Sequence, residues 1–170
     1  CGITGLKPTW GRVSRKGVLA LADTLDHVGP MTRSVADAAA MLNAIAGHDP
    51  NDPTSLIDRA PDYVARLERM VKGVRIGVDE AYCGDGVDAE LRDSVIGSVT
   101  VFQKLGAEIK RIEIPPMDDF VPNFSDIVSI EAAVAHADTL LPLKDKLGPV
   151  YRDVLKRGST LSGRHYAALK

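Results

Sequence analysis

Aromatic residues are scarce in this chain of 170 residues, at 5%, so any core must be assembled from Leu, Ile, Val and Ala. Cysteine is nearly absent. Cys1 and Cys83 form no CxxC and no metal-type spacing, and they are expected to be reduced thiols of a cytoplasmic protein. Neither charge sign is in excess: 21 Lys and Arg stand against 23 Asp and Glu. No basic field is available to hold a nucleic acid. No apolar run reaches the length of a membrane span, and no signal peptide opens the chain. What remains is a hydrophobic content of 45% with 26% charged residues, enough for a globular domain without disulfides or metal. The chain begins inside a compact apolar segment and its last helical pattern has no stop, so it is expected to be an internal piece of a longer protein.

Residues 1–33 are rich in Gly, Pro, Thr and Arg, with short apolar stretches at Ile3–Leu6 and Val18–Leu21 that suggest short strands. Beyond Ser34 the period becomes helical. Ser34 is a good N-cap with Asp37 three residues on, and Val35, Ala38, Ala39, Leu42, Ile45 and Ala46 share a face ahead of Gly47. Residues 48–61 hold three prolines and read as an irregular surface connection, followed by a short helix over Tyr63–Met70. Val74–Val78 and Glu108–Ile114 read as strands. Between them lies a helix capped by Asp88, with Leu91, Val95, Val99, Phe102 and Leu105 on one face. That order predicts a right-handed βαβ unit over 74–114 with near-parallel strands. Residues 117–170 turn helical, over about 125–140, 148–157 and 162–170.

Residues 1–55 carry the words CGITGLKPTWGRVSRKG, LDHVGPMTRSVADAAAMLNAIAG and HDPNDPTS in order. Together they resemble the stretch after the nucleophile in the amidase-signature family, and the likeness continues through RIGV, LGAEI, IEAAVAHADTLL and LGPVYRDVLKRGSTLSGRHYAALK. The resemblance implies an α/β fold, a mixed β-sheet covered by helices on both faces, here incomplete at both ends. Residues 1–170 would be a partial domain: the post-nucleophile region 1–55, the βαβ unit and a helical wall of the substrate cleft over 117–170. It implies cleavage of carboxamide C–N bonds through an acyl-enzyme, with a serine attacking, a second serine relaying the proton and a lysine as base. In the family these residues precede the Cys-Gly-Ile-Thr-Gly-Leu-Lys-Pro word. None is assigned in this chain, so the chain alone is expected to be inactive. No cofactor and no metal are implied.

The partners implied are a small-molecule amide for the intact parent, with no nucleic acid and no membrane. Incomplete sheet edges also predict self-association. A second reading keeps the fold and makes the parent a glutamine-amidohydrolysing component of a tRNA-dependent amidotransferase. A third makes the chain a non-catalytic binding or scaffold remnant.

Four residues are cleft candidates: Trp10, Asp26, Glu131 and His136. Each has a plainer alternative. Trp10 suits core packing, and Asp26 suits a carboxylate that accepts backbone amides in its loop, with Arg12 and Arg33 as bracing neighbours. Glu131 and His136 are five residues apart on a helix, off a shared face, which suits exposed polar surface. Lys7 near Ser14 imitates a lysine–serine dyad but lacks an oxyanion loop. Asp79 to Glu90 imitates a calcium loop, yet Ala81 and Cys83 stand where oxygen ligands are needed.

Overall fold

A computed structural model describes residues 2–68, 71–118 and 120–170, with Leu141 and Lys144 described by backbone alone. The elements are β1 (Thr4–Gly5), β2 (Met31–Thr32), α1 (Val35–Ile45), a 3₁₀ turn (Val64–Arg66), β3 (Arg75–Val78), α2 (Glu80–Gly84), α3 (Ala89–Lys104), β4 (Glu108–Arg111), α4 (Phe120–Ala135), a 3₁₀ stretch (Leu141–Lys146), α5 (Pro149–Thr160) and α6 (Gly163–Leu169). The chain divides into two compact units, residues 1–67 with 118–170 and residues 68–117.

In the first unit β1 and β2 pair antiparallel, with Thr4 opposite Thr32 and Gly5 opposite Met31. The Ser34 hydroxyl accepts from the Asp37 amide and starts α1 as the sequence pattern predicts. Ala38, Ala39 and Leu42 are the face that α1 buries. Helix α4 packs against α5, and the two bury Ile130, Ala132, Ala133 and Leu155. The crossing is close because Gly158 of α5 has no Cβ. A methyl there would be driven into the Ser129 carbonyl of α4. Helix α4 begins at Phe120 rather than near 125, since Pro122 falls in the first turn where no intrahelical amide bond is lost. It ends at Ala135, and residues 136–140 form turns on carbonyls of its last residues and of His136.

The second unit holds β3 and β4 in parallel, from Arg75 opposite Glu108 to Val78 opposite Arg111. Asp88 caps α3 by accepting from the Glu90 and Leu91 amides. Its far end closes as a Schellman turn: Ala107 N–H reaches Phe102 C=O, Gly106 N–H reaches Gln103 C=O, and Gly106 takes φ +92°. Leu91, Val95, Phe102 and Leu105 remain exposed, and among the described residues of this unit only Ala107 is a buried hydrophobic.

Several sequence expectations are corrected. Val18–Leu21 forms no strand: side chains take the Ala20 carbonyl and the Leu21 amide, and the Val18 amide closes a turn on the Arg15 carbonyl. The helix expected over Tyr63–Met70 is a single 3₁₀ turn at Val64–Arg66, and Arg69 and Met70 lie outside the described residues. The strand expected to reach Ile114 stops at Arg111, and the Ile114 amide bonds instead to the Asp79 carboxylate at 2.7 Å. That carboxylate also caps α2, an element absent from the sequence reading. The 48–61 connection is not all surface, for Asp52 and Ser55 are buried in it.

Candidate functional site

The residues of interest meet in the first unit, around the irregular segment from Val18 to His27. Asp26 organises it locally. Its carboxylate accepts the Leu21 amide at 2.8 Å and the Ala22 amide at 3.1 Å, a tight turn written in the chain by one Asp. Arg12 does not brace Asp26, since its guanidinium donates to the Asp58 carbonyl at 2.8 Å. Arg15 reaches this loop instead. Its side chain donates to the Asp23 carbonyl at 2.5 Å and pairs with the Asp23 carboxylate at 3.2 Å. The other arm donates to Thr54 Oγ1 at 2.9 Å. The guanidinium lies over the Trp10 ring, 5.1 Å from its centroid, so Trp10 serves here as a half-buried platform.

Glu131 and His136 are buried, at 7% and 4% exposure, which overturns the expectation of exposed polar surface. Both reach the same segment from α4 and the turn behind it. Glu131 accepts the Thr24 amide at 2.8 Å on one oxygen. Its other oxygen accepts the Thr24 hydroxyl at 2.6 Å and the Tyr166 hydroxyl at 2.7 Å. Lys170 stands 3.3 Å from that oxygen and donates to Thr24 Oγ1 at 2.7 Å. His136 donates from Nε2 to the Ala20 carbonyl at 2.5 Å, while its ring meets Tyr151 edge-on. Glu131 on α4 and His136 just past its end, rather than two residues of one helix, serve the same loop, with Thr24 and Ala20 as the two landing points.

The electrostatics make this a clamp rather than a base. Burial alone would raise the Glu131 carboxyl, but the hydrogen bonds from Thr24, Tyr166 and Lys170 outweigh it and hold the group below its ordinary value. Lys170 shifts the other way and is raised: burial would lower it, and its bonds to Tyr166 and Glu131 prevail. A lysine held charged cannot take a proton from Thr24, so this hydroxyl–lysine pair is no nucleophile and base. Lys7 and Ser14 form no dyad either. Lys7 Nζ donates to the neighbouring Pro8 carbonyl at 3.0 Å, and the Ser14 hydroxyl donates to Asp49 at 2.7 Å.

A second polar knot joins α4, α5 and α6. The Asp126 carboxylate, buried, accepts from Arg157 Nε at 2.6 Å and from His165 Nε2 at 2.8 Å. These bonds, His165 first and Arg157 next, lower its carboxyl. Sequence reasoning does not find Arg15, Thr24, Asp126, Tyr166 or Lys170. The partners lie up to 146 residues apart, and no local spacing signals them.

The Asp-Pro-Asn-Asp-Pro word folds as a carboxylate-centred knot. Asp52 accepts the Arg15 amide at 2.7 Å, the Thr54 amide at 2.9 Å and the Thr54 hydroxyl at 2.6 Å. The Thr54 hydroxyl, ahead of the Arg15 amide, pulls its pKa down from 3.8 to about 2. A carboxyl lowered in the folded state adds stability that is complete above its unfolded value and lost as pH falls through its folded value. The thermal midpoint is therefore expected to drop between about pH 4 and pH 2. In Asp52→Asn the melt should begin lower at neutral pH and change less across that window. Equal acid slopes for the two proteins, followed by circular dichroism, would remove Asp52 from the account.

The segment lines one side of a cavity of about 420 Å³, with Arg15, Ala20, Asp23, Asp26, His27 and Thr54 among its walls. Of the four sequence candidates, Asp26 lines it directly, Glu131 and His136 hold the loop that lines it, and Trp10 lies beneath Arg15. Among the described residues no three His, Cys, Asp or Glu side chains gather as metal ligands. Nor is any helix among them long and apolar enough to cross a membrane.

Comparison with known proteins places these features in a family. A glutamyl-tRNA(Gln) amidotransferase subunit of Trichlorobacter lovleyi is 47% identical over 133 residues, 78% of this chain and 27% of that protein. The chain thus spans about a quarter of the length of the curated relatives it matches. The structure of the corresponding glutamyl-tRNA(Gln) amidotransferase subunit from Thermotoga maritima superposes with a TM-score of 0.76 at 31% identity, over 99% of this chain and 36% of that one. The peptide amidase of Stenotrophomonas maltophilia superposes with a TM-score of 0.78 at 28% identity, over 99% of this chain and 39% of that one. The fold is the amidase-signature α/β fold. The family model described as Amidase matches residues 1–161, and the chain belongs to the amidase family.

Proposed function

We propose that this chain supplies the part of an amidase domain that follows the nucleophile loop, and that the complete domain cleaves carboxamide C–N bonds through an acyl-serine. The carrying observation is a continuous family match from residue 1 to residue 161 in a sequence without a Gly-Gly-Ser loop. The contribution of the chain is a scaffold behind the nucleophile and a wall of the cleft, with Asp26 at the cavity and Trp10, Glu131 and His136 supporting the loop around it. Among its described residues the chain has no nucleophile–base pair, and alone it does not turn over amides.

The test compares this chain with the full product of the reading frame that contains it. Ammonia release from simple carboxamides, peptide amides and glutamine is the readout. The chain is expected at background, and a product carrying a Gly-Gly-Ser loop ahead of residue 1 is expected to form an acyl-enzyme. Turnover by the chain that Lys7→Ala abolishes would overturn the reading.

A second reading, a protein that releases ammonia from glutamine for transamidation, is favoured by the 47% identity to the Trichlorobacter lovleyi amidotransferase component. Strong preference for glutamine over other amides would select it. Either way, the apolar face of α3 and the unpaired edges of both two-stranded sheets favour self-association of the chain. Light scattering is expected to show more than a monomer, or the chain to bind hydrophobic dyes. A compact, dye-silent monomer would contradict it.

A further inference from the structure

The backbone from Ala20 to Asp26 is neither helix nor strand, and its polar groups are held partly by its own turn, where the Ala22 carbonyl accepts the Leu25 and Asp26 amides, and partly by side chains. His136 takes the Ala20 carbonyl, Asp26 the Leu21 and Ala22 amides, Arg15 the Asp23 carbonyl, and Glu131 the Thr24 amide and hydroxyl. An irregular segment with no ladder of its own stays in one conformation only if other groups satisfy it. Glu131 is the costliest of these holders, because a carboxylate 7% exposed must recover its lost hydration from donors. Three of those donors, the Tyr166 hydroxyl and the Thr24 amide and hydroxyl, converge on it from α6 and the loop, and Lys170 closes the group. A tie between helices alone would not need the Thr24 amide. Asp126, on the same helix, joins α4 to α5 and α6 through Arg157 and His165 without a bond to the loop.

We propose that Glu131 is a positioning residue for the amide reaction: through Thr24 it holds the 20–26 loop as a fixed wall of the cavity lined by Ala20, Asp23 and Asp26. The inference rests on the reading of that cavity as part of the amide cleft. It assigns Glu131 no contact with the substrate. The carboxylate acts on the position of a backbone, and the chemistry belongs to groups elsewhere in the domain.

The experiment uses the full product of the reading frame for kinetics and the 170-residue chain for amide exchange. Glu131→Gln keeps the size but replaces two acceptor oxygens with one and adds donors facing Tyr166 and Lys170. It is expected to lower kcat/KM by about tenfold, mainly through KM. Thr24→Val should reproduce the loss, Thr24→Ser should keep near-normal kinetics, and Thr24→Val with Glu131→Gln should be no worse than either alone. Asp126→Asn is the structural comparator, expected to lower the thermal midpoint with kinetics preserved. Equal losses of activity in Glu131→Gln and Asp126→Asn at equal loss of midpoint would overturn the proposal. Should the full product show no amide turnover, the amide reading fails by itself, and positioning is then decided by exchange. Glu131→Gln must speed exchange of the Thr24 amide in the chain while Asp126→Asn leaves it slow, and unchanged exchange would overturn it.

Discussion

Gly158→Ala is expected to destabilise the first unit by about 3 kcal/mol, the upper part of the range for overpacking a close contact. The added methyl would meet the Ser129 carbonyl and the Ala133 Cβ of the facing helix. Neither is the far end of a flexible side chain, so α4 and α5 must move apart. Ile130, Ala132, Ala133 and Leu155, buried in these helices, then lose packing together. The loss also reaches the loop, because α4 carries the Glu131 carboxylate that holds Thr24. Gly163→Ala is the control, at the first residue of α6 with open space around its missing Cβ, and is expected to be neutral within about 0.5 kcal/mol. Chemical denaturation of both variants decides the matter. A Gly158→Ala protein as stable as its parent would mean the helices are not in the contact described.

Arg15→Lys is expected to cost about 2–3 kcal/mol, nearly as much as Arg15→Ala, because geometry rather than charge is lost. The guanidinium spans three places at once: the Asp23 carbonyl and carboxylate, the Thr54 hydroxyl and the Trp10 face. An ammonium presents its donors at one point and cannot bridge Asp23 and Thr54 while stacking on indole. The Arg15 side chain is 11% exposed, so the partners it leaves are not freely rehydrated. Loosening should spread to the cavity wall at Asp23 and to the Asp52 turn, whose carboxylate accepts the Arg15 amide. Denaturation midpoints and Trp10 fluorescence report the two ends of that change. Full rescue by lysine would reduce the contact to a simple ion pair.

Helix α1 and the strands of the second unit are legible in the sequence because local chemistry decides them: a serine cap, apolar residues at helical spacing, and β-branched runs closed by turn residues. The buried polar residues of α4 and the turn behind it are not. Glu131 and His136 read as solvent-facing, since charged side chains seldom enter a core unless paired, and Asp126, also buried, gives no signal of its own. Their partners, Arg157, His165, Thr24, Tyr166 and the Ala20 carbonyl, lie 31 to 116 residues away. Long-range satisfaction of this kind leaves no period in the sequence. Val18–Leu21 misleads for a related reason: its residues favour a strand, but the distant His136 takes the Ala20 carbonyl and the nearby Asp26 the Leu21 amide. Asp26 stands between these cases, because a carboxylate bonding amides four and five residues back is a local motif that an Asp in a turn suggests by itself.

The most direct test of the account is labelling of the purified 170-residue chain with a serine-directed fluorophosphonate, read by intact mass. A chain whose Ser14 and Thr24 hydroxyls are tied to carboxylates, and whose Lys170 stays charged, is expected to carry no adduct. One stoichiometric adduct on a single serine, lost with a single lysine substitution, would show a working nucleophile within these residues and contradict it.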